Sequence, residues 1–207
     1  MPFASGGLVR ELDLCCACEQ MLELKNATYK VTMIDDSAYI SGSADNSRTY
    51  DDEIVLGETD WYMTSKHGIV VRGYEAKSHS AILLASGGAT GVHAHSALLH
   101  GDFCIAAVGS FMCCLRLSTL NLKWYVQPDD VTCFGVYHAL NHSCYISHGE
   151  LEIARVSYSG EIVWRASGKD IFTNGFVLHE DYIEVVDFND ERYRIEIETG
   201  RCILYEV

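Results

Sequence analysis

With 207 residues, 48% of them hydrophobic and only two prolines, the chain has material for a sizeable core and no proline-rich linker. Its formal net charge of −14 opposes phosphate backbones and anionic lipid surfaces, so neither nucleic acid nor a membrane is an expected partner. No apolar run reaches the ~18–20 residues that span a bilayer, and the start MPFASGGLVRELDL has no basic segment leading into an apolar one, so no secretory signal is expected.

Long 3.6-residue periodicity is scarce. Short β-branched and aromatic runs alternate with Gly, Asn, Asp and Ser clusters, the pattern of many short strands. Residues 1–52 form an irregular N-terminal β region. Strands are predicted there at Leu8–Leu14, Tyr29–Ile34 and Ala38–Ser41, Ala17–Lys25 reads as a helix or a strand, and Gly42–Asp52 is a polar loop.

From Glu53 a recurrence takes over, with four units at about 53–87, 91–128, 131–168 and 172–207. The first reads EIVLG, WYMTS, GIVVRGY, AILLAS; the second VHAHSALLH, FCIAAVG, FMCCLRL, LKWYV. The third reads FGVYHAL, CYISHG, LEIARVSY, EIVWRAS; the fourth GFVLH, YIEVVDF, RYRIEIE, RCILYEV. Three ten-residue segments fix the period: LRLSTLNLKW from Leu115, RVSYSGEIVW from Arg155 and IEIETGRCIL from Ile195 stand forty residues apart without a gap.

Four strands in about forty residues is the signature of a propeller blade, since one such unit cannot bury both faces without a neighbour. The predicted fold is therefore all-β, a β-propeller-like array of four-stranded antiparallel units. It has five blades if Val9–Leu14, Met21–Leu24, Thr28–Met33 and Tyr39–Ser41 complete a diverged one; the alternative is four repeats plus an N-terminal β layer. Ser159-Gly160 and Thr199-Gly200 suit hairpin turns that need positive φ. Trp124 and Trp164 are predicted to seal one blade to the next, with Leu204 in that role in the last blade, and Ile162 is expected on the same strand face as Trp164.

VSYSGEIVWR and EIETGRCIL resemble the repeat of quinoprotein-type β-propellers, of the broader WD40-like kind, whose hairpin reads small-Asp-x-x-Thr-Gly-x-x-x-Trp. The likeness covers about ten residues in each of three blades and implies architecture rather than activity. The quinone-binding members carry adjacent cysteines beside the cofactor, in eight blades with a calcium. This chain has Cys15-Cys16 and Cys113-Cys114 but is too short for eight blades. Cys113 and Cys114 fall in a predicted strand, so their thiols should pack on opposite faces.

The nine cysteines are odd in number, and reduced, mostly buried thiols of a cytoplasmic protein are the expected state. Cys15-Cys16-Ala17-Cys18 lacks the second ligand pair of a structural zinc site. Ser86–His95, reading SGGATGVHAH, holds the most enzyme-like residues. On a strand, His93 and His95 would share a face as metal ligands should, with His100 nearby, so a divalent metal is the one cofactor considered. The glycines lack the lysine and following helix of a phosphate loop. Asp51-Asp52-Glu53 with Glu58 and Asp60 lacks calcium-loop spacing, and no complete catalytic set appears.

The leading expectation is thus a non-enzymatic module that binds a protein or peptide, in one version an acidic immunity or inhibitor protein for a basic partner. The alternatives are a small metal-dependent enzyme using His93 and His95, and a structural repeat domain in an oligomer.

Overall fold

A computed structural model describes residues 20–58, 62–74 and 78–205. The expected strands at Leu8–Leu14 and the Cys15–Cys18 cluster lie outside these residues.

Seventeen strands make four sheets among the described residues. The first sheet contains β1 (Met21–Lys25), β2 (Tyr29–Asp35), β3 (Asp52–Leu56), β4 (Ser65–Gly73) and β5 (His79–Ala85), in the order β1-β2-β4-β5-β3. The other three are four-stranded antiparallel meanders. They are β6 (Ala97–His100) to β9 (Leu122–Val126) through β7 (Phe103–Val108) and β8 (Phe111–Arg116); β10 (Cys133–Ala139) to β13 (Ile162–Ser167) through β11 (Cys144–Gly149) and β12 (Glu152–Ser157); and β14 (Gly175–Leu178) to β17 (Cys202–Tyr205) through β15 (Tyr182–Val186) and β16 (Arg192–Glu196). The fold is an all-β, propeller-like array of such units.

The first sheet departs from the expected division of the chain. The 52/53 boundary runs through it, and residues 1–52 make no separate blade among the described residues, which form four sheets rather than five. Leu22, Leu24, Val31 and Met33 alternate along β1 and β2, so one face of that hairpin is apolar and packs on the second sheet. The hairpin therefore supplies the first two strands of this blade. EIVLG becomes β3, an added edge strand parallel to β5; Ala38–Ser41 and Tyr62–Thr64 form no strand. The even spacing of strand-like runs concealed an excursion between β2 and β4.

Each gap between sheets is filled by side chains from both walls. Leu24, Met33, Ile69 and Leu83 meet Ala106, Cys113, Leu115 and Leu117 in the first seam. Leu98, Ile105, Met112 and Cys114 meet Val136, Tyr145 and Val156 in the second. Ile146, Ile153 and Ala166 meet Phe172, Ile183, Val185 and Ile195 in the third. Cys113 and Cys114 thus face opposite seams, as alternation requires. Cys104, Cys113, Cys114, Cys133 and Cys144 are free, buried thiols.

The tryptophans tie the seams. Trp124 Nε1 donates to Tyr158 O at 3.1 Å and Trp164 Nε1 to Ile197 O at 2.9 Å, each across to the next sheet's hairpin. Gly160 (φ 87°) and Gly200 (φ 73°) lie on the two indoles, where a Cβ would fall 2.6 and 2.7 Å from ring atoms. Leu204 does not continue this device. It pairs with Tyr193 and is 41% exposed, because the last hairpin lacks the bulge that displaces Trp124 and Trp164. The same bulge, at Val163, separates Ile162 from Trp164: Ile162 faces the second seam and Trp164 the third, against the expectation of one shared face.

Candidate functional site: a ring-walled cleft in the second seam

At the hairpin end of the second seam the packing opens into a cleft of about 410 Å3. Phe103 at the start of β7 and Trp124 on β9 line it from the second sheet, and Tyr145 on β11 and Tyr158 after β12 from the third. His100, the last residue of β6, stands between them, and the buried Cys114 lies at the bottom. Lys123 and Asp102, both exposed, form the rim.

Lys123 and Trp124 are consecutive, yet both line the cleft. The cause is the β8–β9 bulge: Cys114 pairs with Trp124 and Leu115 with Leu122, leaving Lys123 as the extra residue. Bulges re-aim side chains in this way beside functional sites.

Two histidine–tyrosine pairs hold the third-sheet wall. His100 Nδ1 is hydrogen-bonded to the Tyr145 hydroxyl at 2.7 Å, and His138 Nε2 to the Tyr158 hydroxyl at 2.8 Å. The pairs pack on each other, with 4.5 Å between the His100 and His138 ring centroids and 4.7 Å between His100 and Tyr158. Burial, and then the neighbouring His100, lower the pKa of His138, which favours its uncharged ring. Burial raises the Tyr145 and Tyr158 hydroxyls, which stay protonated. Burial also pushes the Cys114 thiol up to about 11, although Lys123 and Arg116 act against it. A thiol held protonated is a poor nucleophile.

The histidines singled out from the sequence are divided. His93 and His95 lie in a turn before β6, not on the strand, so the period-2 argument for a shared face does not apply. Both nitrogens of the His93 ring are used within the chain: Nδ1 accepts the His95 backbone N–H at 3.2 Å and Nε2 donates to Phe134 O at 2.6 Å. The His95 ring stacks on Tyr137 at 4.4 Å, while His100 belongs to the cleft. Among the described residues no three His, Cys, Asp or Glu side chains converge as a metal centre. The glycines before them pack: Gly88 N donates to Val131 O at 2.6 Å, and a Cβ on Gly87 would lie 2.7 Å from that carbonyl. Two members of the acidic stretch are likewise internal wiring, with Asp51 accepting from Ser80 and Glu53 from Tyr39 and Ser41.

His138, Tyr145 and Tyr158 were not recognisable as site residues from their types. Their signal was failure to repeat: forty residues on either side of His138 stand Leu98 and Leu178, and on either side of Tyr145 stand Ile105 and Val185.

No family model matches the chain, and no curated protein matches it. Among solved structures it is similar to BamB from Moraxella catarrhalis, with a TM-score of 0.48 and 12% identity over 96% of this chain and 68% of that one. It is also similar to HIRA(644-1017), with a TM-score of 0.46 and 8% identity over 98% of this chain and 57% of that one. Both are β-propeller proteins, and the likeness is one of fold alone.

Proposed function

We propose that this chain is a non-enzymatic module that binds a protein or peptide and takes an apolar anchor side chain of it into the second-seam cleft. The observation that carries this reading is a space of about 410 Å3 walled by Phe103, Trp124, Tyr145 and Tyr158. Pockets of that size lined by rings with a few polar groups are typical ligand sites, and aromatic residues dominate binding hot spots. Because both tyrosine hydroxyls are already bonded to histidines, the walls are rigid before the partner arrives, which reduces the ordering cost of association. The protonated Cys114 favours binding over reaction. The net charge of −14 supports a basic partner, and an immunity or inhibitor role is one form of this reading.

The test is selection of linear peptides from a display library, followed by titration into the protein. Selected peptides are expected to lose binding to Tyr158→Ala and keep it for Tyr125→Ala, an exposed aromatic outside the cleft. Peptides that bind both variants equally would reject the cleft. For the basic-partner version, binding should fall steeply with added salt; a salt-independent affinity would remove it.

A further inference from the structure

The charges at the cleft differ in sign from those of the whole chain. Lys123 is turned to the cleft by the bulge, and the Arg116 guanidinium lies 5.1 Å from the centre of the Phe103 ring, one of the cleft walls. Both cations are close enough to act on the Cys114 thiol at the bottom. Among the described residues lining the cleft, Lys123 is the cation and Asp102 the carboxylate. Arg116, beyond the lining at the Phe103 ring, adds a second cation, so in a chain that carries −14 the cleft escapes the general excess of acid. A screening length of about 10 Å separates such a spot from the long-range field, so a basic partner can be drawn in globally and still present an anion locally.

We infer that the group taken by the cleft is an apolar side chain with a carboxylate beside it, namely the C-terminal residue of a peptide with its free carboxyl group against Lys123. The inference rests on the peptide reading of the cleft. Rings receive the side chain, and Lys123 faces the one charge that every unblocked C-terminus carries. Volume agrees: the cleft has room for one large side chain and its terminal backbone but not for a folded element.

Two synthetic pentapeptides of one sequence ending in phenylalanine, one a free acid and one a carboxamide, are titrated calorimetrically into the full chain. The acid is expected to bind about three- to five-fold tighter than the amide, the scale of one partly exposed ion pair. Lys123→Glu and the milder Lys123→Gln should each erase that difference while leaving amide binding within about two-fold, with unchanged circular dichroism showing that both variants fold. Equal binding of acid and amide, lost together in Tyr158→Ala, would overturn the carboxylate inference and leave peptide binding standing. A preference for the acid that survives both Lys123 variants would also overturn it. Failure of both peptides to bind at millimolar concentration would overturn both readings.

Discussion

The second and third seams are built from the same parts and end differently. Each has a tryptophan on the last strand of one sheet whose indole N–H reaches a carbonyl of the next sheet's hairpin, and each has a turn glycine lying on that indole. What differs is the residue paired with the tryptophan. Trp124 pairs with Cys114, and Trp164 pairs with Arg155. The thiol is short and leaves the cleft. The arginine fills the corresponding space: its Nη1 donates to Ile197 O at 3.2 Å and Glu198 O at 3.0 Å, and its Nη2 to His142 O at 3.3 Å. His142 and Asn141 reinforce this closure by bonding to Glu180. One seam is therefore an open, ring-walled site and the other a strapped joint, and the residue opposite the indole is one of the differences between them.

The two seams can be told apart by substitution. The largest expected effect is at the strap. Arg155→Ala removes charge-assisted bonds to three carbonyls and should cost about 3–4 kcal/mol, read as a lower midpoint in urea unfolding. A loss under about 0.5 kcal/mol would mean the strap contributes nothing.

Acid should act next, and on the same seam. His148, stacked on Phe176 and bonded to Phe172 O, is pushed down to about 4, first by burial and then by His93 and His95. The unfolded chain takes up this proton near pH 6.5 while the fold resists it until about pH 4. The histidine's contribution is thus complete above pH 6.5 and declines as pH falls through that window, by on the order of 3 kcal/mol. His148→Gln should flatten the decline between pH 6.5 and 4; an unchanged profile would assign it to other groups.

Glycine substitution probes what the seams share. Gly160→Ala and Gly200→Ala each place a Cβ against an indole at a positive φ, and each should cost about 2 kcal/mol. Unequal costs would show that the two tryptophan joints are not the same device. The smallest effect on stability is expected from Lys123→Gln at the exposed rim, within about 0.5 kcal/mol in urea unfolding. It should nevertheless remove the preference for the free-acid peptide, which titration would detect.

The two ends of the array differ as well. The outer face of the first sheet, carrying Ile82 and Leu84, is covered by the excursion between β2 and β4, through Tyr39, Tyr50 and Met63. Tyr50 bonds Asp36, and Lys66 bonds the carbonyls of Ser37 and Tyr39, which keeps that cover in place. The outer face of the last sheet has Glu184 paired in register with Arg194, and Arg194 lies 3.7 Å over Tyr182, so charge tolerates water where the first end needs a lid.

Much of this was legible before any coordinates. The forty-residue period, the strand-rich meanders and the tryptophan–glycine joints follow from local rules: alternation, turn chemistry and the need of each unit for a neighbour. The separate fates of Cys113 and Cys114 follow from alternation alone. The cleft was not legible in the same way. It depends on a bulge that brings Lys123 beside Trp124, on a pairing that sets Cys114 rather than an arginine opposite the indole, and on histidines and tyrosines from two sheets meeting across a seam. The first blade was hidden for a related reason, since nothing local says that β2 will pair with β4 across an excursion of about thirty residues. By itself, then, the sequence determined the kind of unit and its repeat, because hydrophobic period and turn residues act over a few positions. Only the tertiary structure decided which seam stays open and which strands share the first sheet, because register and packing between distant segments are properties of the assembled sheets and of no single one.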